Sequence, residues 1–329
     1  IAANGSSSMV NSYLQWKWNL SNRLMLLTGV HAQYLFLNDT RSVDPRLALK
    51  WNAGNHQYFN VGLGQHSQMQ PLGNYFARVR VGTDTITANK GMDLSKAHHL
   101  VFGYTNHLSI NWYFKTELYY QWLYNIPVTA GRSTSFSMMN QDDDYVIDKL
   151  QNTGKGKNYG VELTVERSWN DLFYMIATAS LYQSKYLPSD NVWRNTRFNS
   201  NTGFTFLTGK EWMFKNTKRP TSFTADIRLV QNGGVRVTPI DLVKSIQQKK
   251  TVFDNTRIYG EKLQDFFRAD LQVAWKTQFR RMTFSVLAGV QNLTDHDNPT
   301  SHSFDAITNK ITYKYLLGRI PLFAIKADF

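Results

Sequence analysis

Cysteine and long apolar runs are both missing from this chain. With no cysteine among the 329 residues, disulfide scaffolds and thiolate metal sites are excluded. The nearest approach to a membrane helix is LMLLTGV at 24–30, with His31 and Gln33 soon after it. A helix needs roughly 18 apolar residues to cross a bilayer, so a helical membrane protein is excluded as well.

Acidic residues are few relative to basic ones, 24 against 37, which gives a formal net charge of +13. The lysines and arginines are scattered along the chain. A nucleic-acid surface would gather them into a stripe or a run. We therefore predict no nucleic-acid partner.

Aromatic residues are abundant, with 20 Phe, 17 Tyr and 9 Trp, and many alternate with polar residues. In YLQWKWNL near the start of the chain, Leu14, Trp16 and Trp18 fall on one face of a strand and Gln15 and Lys17 on the other. This period of two has no helical interpretation. Similar segments recur along the chain and predict about 13 strands.

The predicted connections between these strands form two classes, short turns of about two to eight residues and long loops. The long class includes 69–95, 126–156, 237–263 and 294–310. Because the two classes lie at opposite strand ends, and the strands have about ten residues or more, the pattern is typical of an outer-membrane β-barrel. We predict an all-β fold, an antiparallel transmembrane β-barrel segment in the bacterial outer membrane.

The two faces of such strands meet lipid and a wet interior. The apolar residues expected against lipid include Trp16, Trp18, Phe114, Phe223, Ile227, Phe323 and Ile325. The charged residues expected inside are Lys17, Arg46, Lys50, Lys115, Glu117, Glu162, Glu166, Asp226, Arg228, Arg268, Asp270 and Lys326. A soluble β-sandwich is the alternative, but its apolar face would need a second sheet and its strands seldom exceed about ten residues.

Several stretches together resemble one family, the TonB-dependent outer-membrane receptors of the Bacteroidetes type. They are GKNYGVELTVER (156–167), ATASLYQSKYLPSDNVWRNTRFNSN (177–201), QDFFRADLQVAW (264–275), VQNLTDHDNP (290–299) and the ending YLLGRIPLFAIKADF. In that family the terminal aromatic belongs to the signal that the barrel-assembly machinery reads. The resemblance thus assigns Phe323, Ile325 and Phe329 to an assembly signal.

The resemblance also implies a 22-stranded barrel with a plug domain and a short TonB-contacting box ahead of it. Nothing before Tyr13 supplies either, so we expect residues 1–329 to be the carboxy-terminal portion of one barrel domain, with the plug absent from this chain. An odd number of strands cannot close antiparallel. We therefore expect a partner segment with about nine further strands and the plug.

The function implied by the resemblance is energised uptake of a scarce or bulky ligand, driven by TonB through the plug-bearing segment. Other expected partners are outer-membrane lipid, lipopolysaccharide and a surface lipoprotein. The alternative is a non-transporting surface adhesin or assembly component. The candidate ligand-binding residues, which lie in loops or upper walls, are Tyr75, Arg78, Arg80, His98, Tyr145, Trp193, Arg194 and Arg236.

No motif of the sequence indicates an enzyme, a cofactor or a metal site. GKGKNYG at 154–160 lacks the helix that a phosphate loop requires. The aspartates at 142–144 lie in a predicted loop and are interpreted as solvated charge rather than calcium ligands. The rim residues Asp39, Asp190, His66 and Ser67 could serve a barrel enzyme only if the fold brought them together.

Overall fold

The computed structural model describes residues 5–141, 146–215 and 218–329. Nearly all regular structure in these ranges is β. The strands are β1 (Met9–Asn19), β2 (Leu24–Leu35), β3 (Thr40–Gly54), β4 (Gln57–Gln68), β5 (Val79–Val81), β6 (Asp84–Ile86), β7 (Ser95–His107), β8 (Trp112–Thr129), β9 (Leu150–Asn170), β10 (Phe173–Leu187), β11 (Arg194–Asn195), β12 (Thr202–Phe214), β13 (Thr221–Asn232), β14 (Arg236–Val237), β15 (Glu261–Lys262), β16 (Phe266–Gln278), β17 (Thr283–Gln291), β18 (Pro299–Asp305), β19 (Lys310–Tyr315) and β20 (Ile320–Asp328). The helices are α1 (Leu72–Phe76), α2 (Leu242–Gln248) and a 3-10 turn at Met138–Asn140.

One sheet contains the long strands in the order β1-β2-β3-β4-β7-β8-β9-β10-β12-β13-β16-β17-β20. These are 13 strands, so the predicted number is confirmed. The short β11 pairs with β10 in addition. Pairing is antiparallel along β1 to β4 and from β10 through to β20. Within the described residues β1 and β20 stand at the two ends of this order, and no pairing joins them.

By its internal contacts the chain divides into two units. The first comprises residues 1–104, 117–161 and 182–199, and the second comprises 105–116, 162–181 and 200–329.

In the first unit, the strand register builds a continuous apolar row. Trp18 pairs with Leu26, Leu26 with Leu49, and Leu49 with Val61. Directly paired residues share a face of an antiparallel sheet, so the alternation seen in single strands is aligned across four of them. Trp18 is half exposed, as is Trp16 on the same face. These side chains are therefore free to contact lipid.

The second unit repeats this arrangement across five strands. Trp212 pairs with Phe223, Phe223 with Trp275, Trp275 with Val286, and Val286 with Ile325. The exposed fraction of Ile325 is 62%. Trp212 and Trp275 are also exposed, whereas Phe223 and Val286 are partly exposed. A row with this many exposed apolar side chains suits contact with hydrocarbon rather than water.

The other residues predicted to face lipid also lie on the apolar face of their strands. Phe323 is 70% exposed and pairs with Ala288, and Ile227 pairs with Leu271. Phe114 and Phe223 are only partly exposed. Phe329 follows the end of β20 and is almost fully exposed.

Connections at one end of the long strands are short, at 20–23, 55–56, 108–111, 171–172, 215–220 and 279–282. At the opposite end, called the outer end below, lie the longer ones, at 69–94, 130–149, 188–201, 233–265 and 292–319, together with a four-residue turn at 36–39. The predicted gap at 126–156 is too wide, because β8 continues to Thr129 and β9 begins at Leu150. Asn152 supports this extension, since its side-chain amide donates to the carbonyl oxygens of Asp93 and Asn125.

The outer loops of the first unit have a small core of their own. It contains Leu35, Tyr75, Met92, Met138 and Leu150, all buried. These residues come from the end of β2, the start of β9 and the connections between strands. The loops therefore fold as a packed structure rather than as loose chain.

None of the helices in the described ranges is long and apolar enough to cross a membrane.

Candidate functional site

The first unit carries a polar wall around a buried carboxylate, Asp44, which has no solvent exposure. Its Oδ1 accepts hydrogen bonds from the Ser67 hydroxyl at 2.7 Å and the Gln65 amide at 3.2 Å. Its Oδ2 accepts one from the Ser42 hydroxyl at 3.3 Å and lies 3.6 Å from Nδ1 of His31. Neutral donors thus replace the water that a buried carboxylate loses.

Basic side chains continue this wall beyond Asp44. A guanidinium nitrogen of Arg46 lies 3.1 Å from Nδ1 of His66, and the ring of His66 lies 4.3 Å from the ring of His99. Together with His31, the Arg46, His66 and His99 side chains place several potential hydrogen-bond donors near the Asp44 carboxylate. The wall therefore suits a polar ligand with acceptor atoms.

The second unit carries a different polar wall. The Tyr174 hydroxyl donates to Asp226 at 2.7 Å, and Arg268 forms an ion pair with Asp270 at 3.0 Å. Asp270 is directly paired with Arg228 across two strands. These residues, except Arg268, line a shallow concavity on the sheet. Here one carboxylate accepts from a phenol and the other pairs with a guanidinium group.

Gly209 makes the Tyr174 contact possible. A Cβ at this position would overlap both the Asp226 carboxylate and the Tyr174 ring. Gly209 pairs with both residues across neighbouring strands. The missing side chain therefore provides the space in which the phenol meets the carboxylate.

Tyr75 lies in α1 and is completely buried in the outer-loop core. Its hydroxyl accepts a hydrogen bond from the backbone amide of Gln70 at 3.3 Å. Burial raises the pKa of its phenol above the ordinary value. Its side chain packs inside the loops and presents no surface in this structure.

Arg78 and Arg80 are exposed at the β5–β6 hairpin, in the connection at 69–94. The Arg80 guanidinium donates to the backbone oxygen of Gly82 at 3.3 Å. Both side chains can be reached from the outer side of the first unit.

His98 and His99 lie on opposite faces of β7. His98 shares its face with the exposed Leu100 and Phe102 and stacks on Tyr124, with ring centres 5.0 Å apart. His99 is therefore the member of the pair that joins the polar wall.

Trp193 and Arg194 are neighbours with separate roles in the connection at 188–201. Arg194 and Asp190 form a two-pronged ion pair with both distances at 2.8 Å, which fixes the loop. Trp193 lies 6.4 Å from the Trp122 ring, and the ammonium of Lys157 lies 4.5 Å from its ring centre.

Arg236 lies in β14 and links the two outer connections of the second unit that contain Asn201 and Tyr259. Its guanidinium donates to Asn201 Oδ1 at 3.1 Å and to the backbone oxygen of Tyr259 at 3.4 Å. Burial lowers its pKa below the ordinary value. Tyr145 and the aspartates at 142–144 lie outside the described residues.

The four rim residues that could serve an enzyme have separate partners. Asp39 accepts from Tyr34, Asp190 pairs with Arg194, His66 contacts Arg46, and Ser67 donates to Asp44. No nucleophile–base pair forms among them. Within the described residues there is also no group of three or more potential metal ligands.

Sequence reasoning missed His31, Asp44 and His99 as members of one wall. A signal was present, because His31 alternates with apolar neighbours in TGVHAQYL and so belongs on the polar face. The register that sets His31 opposite Asp44 is visible only in the sheet.

The architecture matches solved receptors at low sequence identity. The import receptor for ferric catecholates, Fiu, of Escherichia coli K12 matches with a TM-score of 0.63 and 14% identity over 98% of this chain and 44% of that chain. The ferripyoverdine receptor of the outer membrane of Pseudomonas aeruginosa gives a TM-score of 0.65 and 12% identity over 96% and 38%. The ferric yersiniabactin uptake receptor FyuA of Yersinia pestis gives 0.63 and 14% over 98% and 46%. The chain thus spans less than half the length of these receptors.

No curated protein matches the sequence. The model of one family, described as TonB dependent receptor-like, beta-barrel, matches residues 2–293. This range contains both polar walls and most of the large sheet. The chain belongs to the TonB-dependent receptor-like β-barrel family and is an outer-membrane protein.

Proposed function

We propose that this chain is part of a receptor for energised uptake of a ligand across the outer membrane, with TonB as the source of mechanical work. The observation that carries the proposal is the family match over residues 2–293. The two-faced sheet supports it, because lipid-facing rows and polar walls on one sheet are what a transport barrel requires.

We further propose that the chain forms the carboxy-terminal portion of a 22-stranded barrel of the Bacteroidetes type. Its ends β1 and β20 each present an unpaired strand edge within the described residues. Other strands and a plug would come from a segment outside the present sequence. Phe323, Ile325 and Phe329 would act as the assembly signal, and their exposed positions at and beyond β20 leave them accessible.

The ligand in this proposal is bound at the outer end of the barrel. Arg78 and Arg80 are the best placed of the predicted residues, because both are exposed in a long outer connection. Tyr75, Arg194 and Arg236 would act indirectly by holding loops in shape, as their burial or pairing indicates. The donors around His66 would contact a ligand that moves inward.

Uptake by the intact receptor in cells with and without TonB tests the proposal. We expect a small molecule that copurifies with the receptor to accumulate only in cells that have TonB. Ligand accumulation that persists without TonB would contradict it and favour a surface adhesin or assembly component.

A paired substitution locates the ligand site. We expect Arg78→Ala with Arg80→Ala to weaken ligand binding about tenfold, which corresponds to about 1.4 kcal/mol. Arg280→Ala with Arg281→Ala is the matched control, because those arginines are exposed in a short turn at the opposite strand ends. Equal losses in both variants would show a general charge effect rather than a site.

A further inference from the structure

Two short turns of the second unit carry a concentration of basic side chains. They are the connections at 215–220 and 279–282. We call their basic residues the basic platform, which comprises Lys215, Lys218, Arg219, Arg280 and Arg281. All five are exposed. The short turns of the first unit contain a single arginine, Arg23, and no lysine, so the positive charge is a feature of these two connections.

Backbone and side-chain contacts hold the two turns together. Strands β13 and β16, which lead into them, are paired along their length. The Gln278 amide donates to the backbone oxygen of Pro220 at 2.9 Å. The Arg219 guanidinium lies 4.3 Å from the centre of the Phe279 ring, which adds a cation–π contact between the turns. The platform is therefore one preorganised surface rather than two independent loops.

The charge of the platform is not neutralised by its neighbours. Apart from Arg219, the platform residues form no ion pair in the described part of the chain. Nearby carboxylates already have partners, since Asp171 lies 3.7 Å from Arg167 and Asp328 lies 2.8 Å from Lys326. A positive surface of this kind attracts anions, and the attraction weakens as salt screens it.

The platform lies beyond the lipid headgroups. The lipid-facing rings of Phe214 and Trp275 are 5.2 Å apart and mark the interface at the short-turn end. Phe279 follows Trp275 by four residues, and four residues of a strand tilted by about 40° rise by about 10 Å. A headgroup layer is about 5 to 8 Å thick. Because short turns of outer-membrane barrels face the periplasm, the platform meets periplasmic solvent.

The platform lacks the apolar centre of a protein–protein interface. Its side chains are charged, and the Phe279 ring between them is partly buried under the Arg219 guanidinium. Protein interfaces depend on aromatic and aliphatic anchors at their centre and have charges at the rim. A flexible polyanion instead binds through several exposed charges at once, which is what this surface offers.

We propose that the basic platform binds carboxylate groups of the cell-wall polymer that lies beneath the outer membrane. The peptide side chains of this polymer bear free carboxylates along its length. The guanidinium groups of Arg280 and Arg281 suit two-pronged contacts with carboxylates, and the lysines add further charge. The contact tethers the barrel to the wall. It is separate from ligand uptake and goes beyond the proposed function.

Cosedimentation of the intact receptor, in nonionic detergent, with isolated cell-wall sacculi tests the proposal. We expect Lys215→Gln with Lys218→Gln to weaken binding about fivefold, and the further changes Arg280→Gln and Arg281→Gln to bring the loss to about thirtyfold. The lysine pair alone provides the comparison if the quadruple variant does not fold.

Lys250→Gln with Lys310→Gln is the matched control. Both lysines are exposed in outer connections of the same unit, and the change in charge equals that of the platform lysine pair. We expect this control to sediment with sacculi as wild type does. An equal loss in the control and in the platform lysine pair would contradict the proposal.

Modified sacculi identify the group that is recognised. Amidation of the sacculus carboxylates should abolish sedimentation, and salt at about 0.5 M should weaken it. Equal binding of the platform variants and wild type, or unchanged binding to amidated sacculi, would overturn the proposal. A loss of binding after protease treatment of the sacculi would overturn it in favour of an acidic wall-bound protein. Tighter binding to phosphatidylglycerol vesicles than to sacculi would overturn it in favour of lipid.

Discussion

Both polar walls contain carboxylates, but the side chains that stabilise these carboxylates differ between the two units. In the first unit Asp44 is fully buried, and hydroxyl and amide groups surround it. In the second unit Asp226 and Asp270 keep some exposure; Asp226 accepts from the Tyr174 phenol and Asp270 pairs with the Arg268 guanidinium. A buried charge with neutral donors stabilises one geometry, whereas a partly hydrated charge leaves room for exchange with a ligand.

Removal of the buried carboxylate should have the largest effect. Asp44→Ala leaves the donors of Ser67 and Gln65 without their acceptor. We expect the free energy of unfolding of the intact receptor to fall by about 3 kcal/mol, measured by urea titration in lipid vesicles. Asp226→Ala, in the more open wall, should lose about half as much. Equal losses would remove the distinction between the walls.

Filling the space at Gly209 should have the next largest effect. Gly209→Ala drives a methyl group into Asp226 and the Tyr174 ring, and we expect a loss of about 2 kcal/mol in the same titration. Gly62→Ala is the control, because a Cβ there meets nothing within 4 Å. A neutral result at Gly209 would mean that the second wall rearranges freely.

Tyr174→Phe removes one hydroxyl and should cost about 1 kcal/mol, since the hydrogen bond to Asp226 is lost. The same change in an Asp226→Asn background should cost less, because the charged acceptor is already gone. A double-mutant cycle measures this coupling. Additive losses would show that the two groups do not interact in the folded barrel.

A partly exposed carboxylate in the outer loops, Asp254, should give the smallest effect. Hydrogen bonds from Thr256 and Arg257 lower the pKa of Asp254 from 3.8 to about 2. Because the folded-state pKa is lowered, its stabilising effect is present above about pH 4 and is lost as the pH falls toward about 2.

Pepsin digestion can follow this change, since the protease works in that pH range. We expect cleavage within 250–262 to rise as the pH falls from about 4 to about 2. Asp254→Asn should already be cleaved at about pH 4. A wild-type cleavage rate that stays constant relative to another pepsin site would refute the role of Asp254.

The sequence by itself determined the strands and their sidedness. Alternation is a property of consecutive residues, so YLQWKWNL and the ending PLFAIKADF indicate which side chains share a face without any knowledge of the partner strand. For the same reason the lipid-facing positions of Trp16 and Ile325 and the number of long strands could be predicted.

Local pattern could not predict the loops. The short strand pairs β5–β6, β14–β15 and β18–β19 lie within connections that carry no long alternation. The burial of Tyr75 depends on Met92 and Met138, which are distant in sequence. For a loop residue chosen by its residue type alone, nothing in the sequence therefore distinguished a packing role from contact with a ligand.

The tertiary structure alone decided which polar residues meet. Period two places His31 and Asp44 on interior faces of their own strands, but only the register of β2 against β3 sets them opposite each other. The same holds for Tyr174 and Asp226, which meet across the strand that carries Gly209. Register is fixed by the sum of many cross-strand contacts and by turn geometry, and no single segment contains that information.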